Sequence, residues 1–141
     1  MDLSGIRIGT RGTARVIVAA EHTAARVGSG VIAVLATPVM INLVEAAALD
    51  ACEAMLPIGH QTLGTHLDVS HTAATPIGGL VTAVAEVVAV RGREIDFVVE
   101  ARDDIDVIGK GRHTRVVVNV EKFEARVKRK ADALRVKISG A

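Results

Sequence analysis

The stretch from residue 37 to about residue 55 constrains the fold most, because it predicts a long helix that is apolar over most of its surface. Thr37-Pro38 is a helix start signal, since Thr is favoured at the N-cap and Pro at the first helical position. Pro57 and Gly59 mark the end. Four polar residues interrupt the helix: Asn42, Glu45, Asp50 and Glu53. At 100° per residue these fall within an arc of about 140°, so we expect a curved sheet to wrap the helix.

Segments typical of β-strands lie on both sides of this helix in the sequence. A first strand is predicted at residues 13–19, and four more at residues 62–71, 80–90, 94–101 and 112–120. The order of one strand, a long buried helix and then an antiparallel meander predicts an α+β two-layer fold. The whole chain, residues 1–141, is predicted to be one domain with its core at about residues 10–122.

Alternation of side chains assigns one face of each strand to the core. The predicted inward residues of the second strand are Leu63, Thr65, Leu67, Val69 and His71. Those of the third and fourth strands are Val81, Ala83, Ala85, Val87, Ala89, Ile95, Phe97, Val99 and Ala101. In the last strand, one face carries Thr114, Val116, Val118 and Val120.

The C-terminal segment, about residues 121–137, predicts a basic amphipathic helix. Its apolar stripe is Phe123, Val127, Ala131 and Leu134. Cationic side chains cover the rest: Arg126, Lys128, Arg129, Lys130, Arg135 and Lys137. The simplest interpretation of this basic surface is a helix face in contact with solvent.

Composition excludes several classes of function. The formal net charge is +1, which predicts no general attraction to nucleic acid or to a membrane. No uninterrupted apolar run reaches the roughly 18 residues of a membrane span, and the N-terminus lacks the pattern of a secretory signal. The single cysteine, Cys52, excludes an internal disulfide and predicts a reducing cytoplasm. The core residues are mainly small, so we expect subunit pairing to add buried area.

Three residues could carry chemistry: Thr37, Glu45 and His71 supply a hydroxyl, a carboxylate and an imidazole, as used in acyl transfer or hydrolysis. Each also has a structural interpretation, as an N-cap, a solvated carboxylate and a histidine at the core edge. In the functional interpretation, His71 points towards the helix, where a carboxylate could hold its tautomer. Glu45 lies at a polar–apolar boundary, and Thr37 lies at a helix N-terminus, which favours a nearby oxyanion.

The other histidines and the cysteine predict no metal site. His66 and Asp68 lie on the opposite face of the strand from His71. The scattered histidines lack the spacing of metal ligands: His22, His60 and His113. We interpret Cys52 as a small buried hydrophobic residue.

The chain resembles the fluoroacetyl-CoA thioesterase-like family of hotdog-fold acyl-CoA thioesterases over about residues 10–126. Four segments carry the resemblance: ATPVMINLVEAAA (36–48), GTHLDVSHTAATPIGG (64–79), DFVVEARD (96–103) and GKGRHTRVVV (109–118). The spacing of 8 residues from Thr37 to Glu45, and of 26 from Glu45 to His71, matches the Thr/Glu/His catalytic triad of that family. The resemblance implies a hotdog fold, in which a curved antiparallel sheet wraps one long helix.

The same resemblance implies a binding site and an assembly. The backbone N–H of Gly64 would hold the thioester carbonyl oxygen, and Arg115 would lie near the pantetheine or CoA end of an acyl-CoA substrate. Two subunits would pair as a homodimer, possibly a tetramer, with each active site at the interface. No cofactor is implied, because CoA is part of the substrate. The basic C-terminal helix gains a second interpretation, as a docking surface for CoA phosphates or an acidic partner.

One departure from the family pattern changes the expected substrate. A member specific for fluoroacetyl-CoA is expected to carry phenylalanines just before the helix, whereas GSGVIAVLA (28–36) has no aromatic residue. We therefore expect hydrolysis of a short-chain acyl-CoA.

The catalytic route stays open at this point. Glu45 would act as a base on water or as a nucleophile, His71 would shuttle the proton, and Thr37 would hydrogen-bond or attack. The alternative is a non-catalytic module that binds or senses acyl-CoA. A weaker alternative is a hotdog dehydratase or hydratase.

Overall fold

A curled antiparallel sheet wraps a long helix, and a second helix follows at the C-terminal end. The computed structural model describes residues 1–135. The elements are β1 (Arg11–Ile17), α1 (Ala24–Val27), α2 (Thr37–Cys52), β2 (His60–His71), β3 (Leu80–Arg91), β4 (Glu94–Arg102), β5 (Val107–Asn119) and α3 (Val120–Leu134). Within residues 1–135 five strands form one sheet, in the order β1-β3-β4-β5-β2. Both β1 and β2 are therefore edge strands, and the predicted α+β architecture is confirmed.

Helix α2 fills the inside of the curled sheet, as its apolar sequence predicts. Its buried side chains belong to the core: Met40, Leu43, Val44, Ala47, Ala48, Ala51 and Cys52. Strand β1 crosses the helix at backbone contact, because a Cβ on Gly12 would collide with the backbone at Ala47 and Ala51. Asp50, one of the four polar residues of the helix, accepts a hydrogen bond from the Thr13 backbone N–H at 2.9 Å. Small residues thus let the helix and the sheet approach closely.

The predicted N-cap role of Thr37 is wrong. Ala36 occupies the N-cap and makes no side-chain capping bond, so Thr37 is the first helical residue. The Thr37 hydroxyl is therefore available to a residue outside the helix. The end of the helix agrees with the prediction, since a 3-10 turn (Glu53–Met55) follows Cys52.

A β-bulge at residue 65 changes which side chains of β2 face the helix. The pairing with β5 shifts register between Gly64 and His66. Before the bulge Thr62 is buried and Leu63 is 40% exposed, so the inward assignment of Leu63 and Thr65 is wrong. After the bulge, Val69 packs against the core. The inward assignment of Val69 is therefore correct.

Strands β3 and β5 show two more differences of face. A register shift between Val87 and Ala89 turns Val90, rather than Ala89, towards the core. Strand β5 begins at Val107, five residues before the predicted start. Its buried residues near the helix are His113, Arg115 and Val117, so the predicted face with Thr114 and Val116 is the outer one.

The C-terminal helix α3 contacts the end of the sheet through few residues. Of its apolar stripe Ala131 is buried, whereas Val127 and Leu134 are exposed. The side chain of Asn119 caps the helix by accepting a hydrogen bond from the Lys122 backbone N–H at 3.0 Å. The predicted end at about residue 137, with Lys137, lies outside the described residues. In the described part of the chain, no helix combines the length and the apolar character that a membrane span requires.

Candidate active site

Thr37 and His71 form one half of the candidate site. Thr37 starts α2 and His71 ends β2, and their Oγ1 and Nδ1 atoms lie 2.7 Å apart. Burial lowers the pKa of His71 below its usual value of 6.5, which favours the neutral ring. A neutral imidazole bonded to a hydroxyl can accept the hydroxyl proton. Thr37 and His71 therefore have the geometry of a nucleophile and its base.

The other nitrogen of His71 is buried and unsatisfied. Among the residues that the structure describes, none makes a hydrogen bond to His71 Nε2. Leaving such a buried polar atom unpaired costs free energy, so native proteins usually provide a partner. Within the described residues, His71 Nε2 is therefore an exception to this rule.

An apolar cavity of about 400 Å³ lies beside Thr37 and His71. Its apolar lining includes Val31, Ile32, Val34, Leu35, Ala73 and Ala74. Val31 is 91% exposed and lies in the segment before α2. The lining contains no Phe, Tyr or Trp, as the sequence of residues 28–36 indicates.

Glu45 belongs to a second cluster, which is built around Arg115. Arg115 is buried, and its Nη1 donates to Glu45 Oε2 at 3.0 Å. Its Nε and Nη2 donate to Thr62 Oγ1 and to the Thr62 carbonyl, at 2.8 and 3.1 Å. The Glu45 side chain is 35% exposed, so its carboxylate is both held by a fixed cation and accessible from outside.

His113 fixes the other side of the guanidinium. Its Nε2 lies 3.1 Å from Arg115 Nη1, and its Nδ1 lies 2.8 Å from the His66 carbonyl oxygen. Arginine only donates and a carbonyl only accepts, so Nε2 must be the acceptor and Nδ1 must carry the proton. Burial lowers the pKa of His113, in agreement with this neutral tautomer.

Gly64 lies against the Glu45 cluster. A Cβ at this position would lie 2.7 Å from Glu45 Oε2 and 3.0 Å from His113 Cε1. A side chain here would displace the carboxylate. Position 64 thus leaves a clear approach to Glu45 from the edge strand.

The structure brings the predicted residues together as two groups. Thr37 pairs with His71, and Glu45 lies with Gly64 and Arg115. Thr37 and Glu45 are eight residues apart on one helix, which is about 12 Å along its axis. Thr37 is thus the side chain that hydrogen-bonds His71, and within residues 1–135 the expected hydrogen bond of His71 with a carboxylate is not made.

The sequence analysis missed His113 and Thr62. His113 was set aside because it matches no metal-ligand spacing, yet it shares a strand face with Arg115, two residues later. The alternation His113, Arg115, Val117 in β5 could have revealed this buried polar pair. Cys52 is buried and free, as predicted. Among residues 1–135 no three His, Cys, Asp or Glu side chains are placed to hold a metal ion.

Comparison with known proteins agrees with this geometry. Residues 18–121 match the family described as fluoroacetyl-CoA-specific thioesterase. The chain belongs to this family. A fluoroacetyl-CoA thioesterase of Streptantibioticus cattleyicolor is 45% identical over 100 residues, which are 71% of this chain and 72% of that protein.

Solved structures agree with the family assignment and with the fold. A variant of the fluoroacetyl-CoA thioesterase in complex with acetyl-CoA has a TM-score of 0.83 and 38% identity, and covers 88% of this chain and 98% of its own. A hot-dog-like protein from Thermanaerovibrio acidaminovorans has a TM-score of 0.84 and 23% identity, with 92% and 97% covered. The predictions of a hotdog fold and of a thioesterase are thus confirmed.

Proposed function

We propose that this member of the fluoroacetyl-CoA-specific thioesterase family hydrolyses short-chain acyl-CoA with Thr37, His71 and Glu45. The main support is the 2.7 Å contact between Thr37 Oγ1 and His71 Nδ1 beside an apolar cavity. A hydroxyl, its base and a pocket for an acyl chain are the parts that acyl transfer needs.

The proposed reaction has two steps. Thr37 Oγ1 attacks the thioester carbonyl carbon and passes its proton to His71. The C–S bond breaks, and CoA leaves as a thiolate that takes up this proton. Glu45 then takes a proton from water, whose oxygen attacks the carbonyl carbon of the acyl-Thr37 ester. The C–O bond to Thr37 breaks, the proton held by Glu45 returns to Thr37 Oγ1, and the free acid is released. The start of α2 and the backbone N–H of Gly64 would stabilise the carbonyl oxyanion.

The proposed site requires two subunits, because Glu45 lies about 12 Å along α2 from Thr37. Strand β2 is an edge strand, and unpaired edges readily add another strand. Antiparallel pairing of two β2 strands about an axis between Leu67 and Asp68 would place His71 of one subunit opposite Gly64 of the other. Glu45 of the second subunit would then lie near the Thr37–His71 pair of the first. We therefore propose a homodimer with two shared sites; tetramer formation stays a prediction.

The cavity supports an aliphatic acyl group. Apart from the polar residues near Thr37 and His71, its lining offers branched aliphatic and small side chains and no Phe, Tyr or Trp. A short unsubstituted acyl chain would bury its methylene groups there, at about 0.8 kcal/mol each. We propose that such substrates are preferred to fluoroacetyl-CoA. The buried, free Cys52 supports the proposed reducing cytoplasm.

Thiol release from acetyl-, propionyl- and butyryl-CoA tests the proposal. We expect Thr37→Ala, Glu45→Gln and His71→Ala each to lower kcat/KM about 100-fold or more. Thr13→Ala, at an exposed position of the other edge strand, β1, is the matched control and should stay near wild type. Mass spectrometry of quenched reactions should find an acyl group on the peptide that contains Thr37. Wild-type protein that binds acyl-CoA in calorimetry without releasing thiol would instead be a binding module.

A further inference from the structure

His113 is a buried titratable side chain that takes no part in the two proposed reaction steps. It belongs to β5 and is fully buried. Its ring is stacked on the ring of Phe97, with centroids 6.1 Å apart and planes at 27° to each other. Both ring nitrogens have a polar partner, since Nε2 lies 3.1 Å from Arg115 Nη1 and Nδ1 lies 2.8 Å from the His66 carbonyl oxygen. Packing and two hydrogen bonds therefore fix the position and the orientation of the ring.

The Nε2 atom of His113 contacts the nitrogen that binds the proposed base. Arg115 Nη1 donates to Glu45 Oε2 at 3.0 Å, and the same Nη1 donates to His113 Nε2. This nitrogen carries two N–H bonds, so one can serve the carboxylate while the other serves the imidazole. Thr62 binds the guanidinium through its other two nitrogens, Nε and Nη2. His113 is therefore the neighbour that aligns the nitrogen to which Glu45 is bound.

The Nδ1 atom of His113 fixes the tautomer that this alignment needs. Its N–H donates to the His66 carbonyl, so Nε2 keeps its lone pair for Arg115. The His66 carbonyl follows the β-bulge of β2, where the extra residue disrupts the regular ladder. Gly64, before the bulge, lies against the ring, because a Cβ there would be 3.0 Å from His113 Cε1. The ring and the bulged strand thus hold each other in place.

We propose that His113 is a positioning residue for the second step of hydrolysis. It acts through Arg115 and holds the Glu45 carboxylate in the orientation in which that group takes a proton from water. This inference rests on the proposed function, since it names the step that the buried network serves. The first step depends on the 2.7 Å contact of Thr37 with His71, in the other half of the candidate site. Loss of the Nε2 contact should therefore slow the attack of water and leave acyl transfer to Thr37 unchanged.

Two neutral substitutions of His113 separate the roles of its two nitrogens. The amide of Asn ends near the position of Nδ1, and the amide of Gln ends near that of Nε2. In rapid-quench experiments with acetyl-CoA, His113→Asn should lower the rate of deacylation about tenfold, as loss of one hydrogen bond predicts, while first-turnover thiol release keeps its rate. Mass spectrometry should then find that acyl-Thr37 accumulates. His113→Gln keeps an acceptor for Arg115 and should recover most of the lost rate.

A packing defect far from the network is the control for a purely structural role. Val81→Ala removes volume from the core on β3 and should lower the melting temperature without changing the ratio of the two rates. Equal slowing of both steps in His113→Asn, or deacylation at the wild-type rate, would overturn the inference. Equal defects in His113→Asn and His113→Gln would also overturn it, because the acceptor at Nε2 would then make no difference.

A double variant tests whether His113 acts through Glu45. Glu45→Gln/His113→Asn should be no slower than Glu45→Gln alone, because two changes in one pathway are not additive. A further loss of rate would overturn the inference. Wild type that releases no thiol, or Glu45→Gln with the wild-type rate, would refute the proposed function and the inference with it. If those two proteins behave as expected and His113→Asn matches wild type, the inference alone is refuted.

Discussion

At the residue scale, the site depends on two histidines that burial keeps neutral. His71 faces a hydroxyl, and His113 accepts a hydrogen bond from an arginine. His113 needs a lone pair on Nε2 to accept from Arg115, so protonation of its ring would break that contact. Protonation of His71 would keep its contact with Thr37 and remove the lone pair that could take the hydroxyl proton. The lowered pKa of each histidine thus preserves its role as an acceptor in weak acid.

The pH dependence of hydrolysis should report His71. A base with an ordinary histidine pKa would be half protonated at pH 6.5, whereas burial lowers the pKa of His71. We expect the acid limb of kcat/KM for acetyl-CoA to be centred below pH 6.5. The measurement is a pH profile of thiol release, with His71→Gln as the variant that should lose this acid limb. A limb centred at or above pH 6.5 would contradict the assignment.

Arg115 should matter for stability as well as for catalysis. Its replacement by Leu leaves the buried acceptor nitrogen of His113 and the partly exposed Glu45 carboxylate without their partner, and a buried acceptor left unpaired costs about 1–3 kcal/mol. We expect a loss of that order in the free energy of unfolding, measured by urea denaturation at fixed protein concentration. Arg112→Leu on the exposed face of the same strand is the control and should change stability little. A similar loss in both variants would indicate a general effect of the strand.

At the element scale, the contact of β1 with α2 leaves no room for a side chain at position 12. Small residues were expected to allow a close approach, and Gly12 is where the two backbones meet. Gly12→Ala should overpack this contact and cost about 1–3 kcal/mol. Gly5→Ala is the comparison, because a Cβ there lies at an ordinary 3.4 Å from its nearest neighbour. Thermal melts of both variants would check this, and equal melting temperatures would show that β1 can shift.

Periodicity predicted the elements well and predicted some faces poorly. The apolar run of α2 and the alternation of β4 depend on local pattern, and both predictions are correct. The inward assignments of Leu63, Thr65 and Ala89 are wrong because a β-bulge adds one residue and inverts the alternation around it. Bulges arise from pairing with a distant strand, which a local pattern does not contain.

Prediction of the candidate site from sequence is limited in the same way, because contacts between distant residues decide its geometry. Thr37 and His71 were chosen for their chemistry, and their contact follows from one helix start and one strand end. Thr37 pairs with His71 within one chain while Glu45 lies apart. This arrangement follows from the distance between Thr37 and Glu45 along the helix, not from the residue types. His113 was missed because its partner, Arg115, was considered only as a substrate contact.

At the scale of the whole molecule, assembly should decide activity. Leu67 lies on the edge strand and is 40% exposed, near the axis of the proposed dimer. Leu67→Lys should disfavour strand pairing, give a monomer in analytical ultracentrifugation, and lower thiol release about 100-fold with the loss of the Glu45 base. Ile105→Lys, at a position that is 90% exposed in the β4–β5 turn, should leave the oligomeric state and the rate of thiol release unchanged. A fully active monomer would show that the site is complete in one chain.

The separation of Thr37 from Glu45 on one helix implies that two inactive proteins can complement each other. In a mixed dimer of Thr37→Ala and Glu45→Gln subunits, one site receives both defects and the other receives neither. Equal amounts of the two variants, denatured together and refolded, should recover about a quarter of the wild-type activity, since half of the dimers are mixed and each has one intact site. No recovery from verified mixed dimers would place both residues in the same subunit's site. The spacing of eight residues from Thr37 to Glu45 would thus make catalysis a property that each subunit shares with its partner.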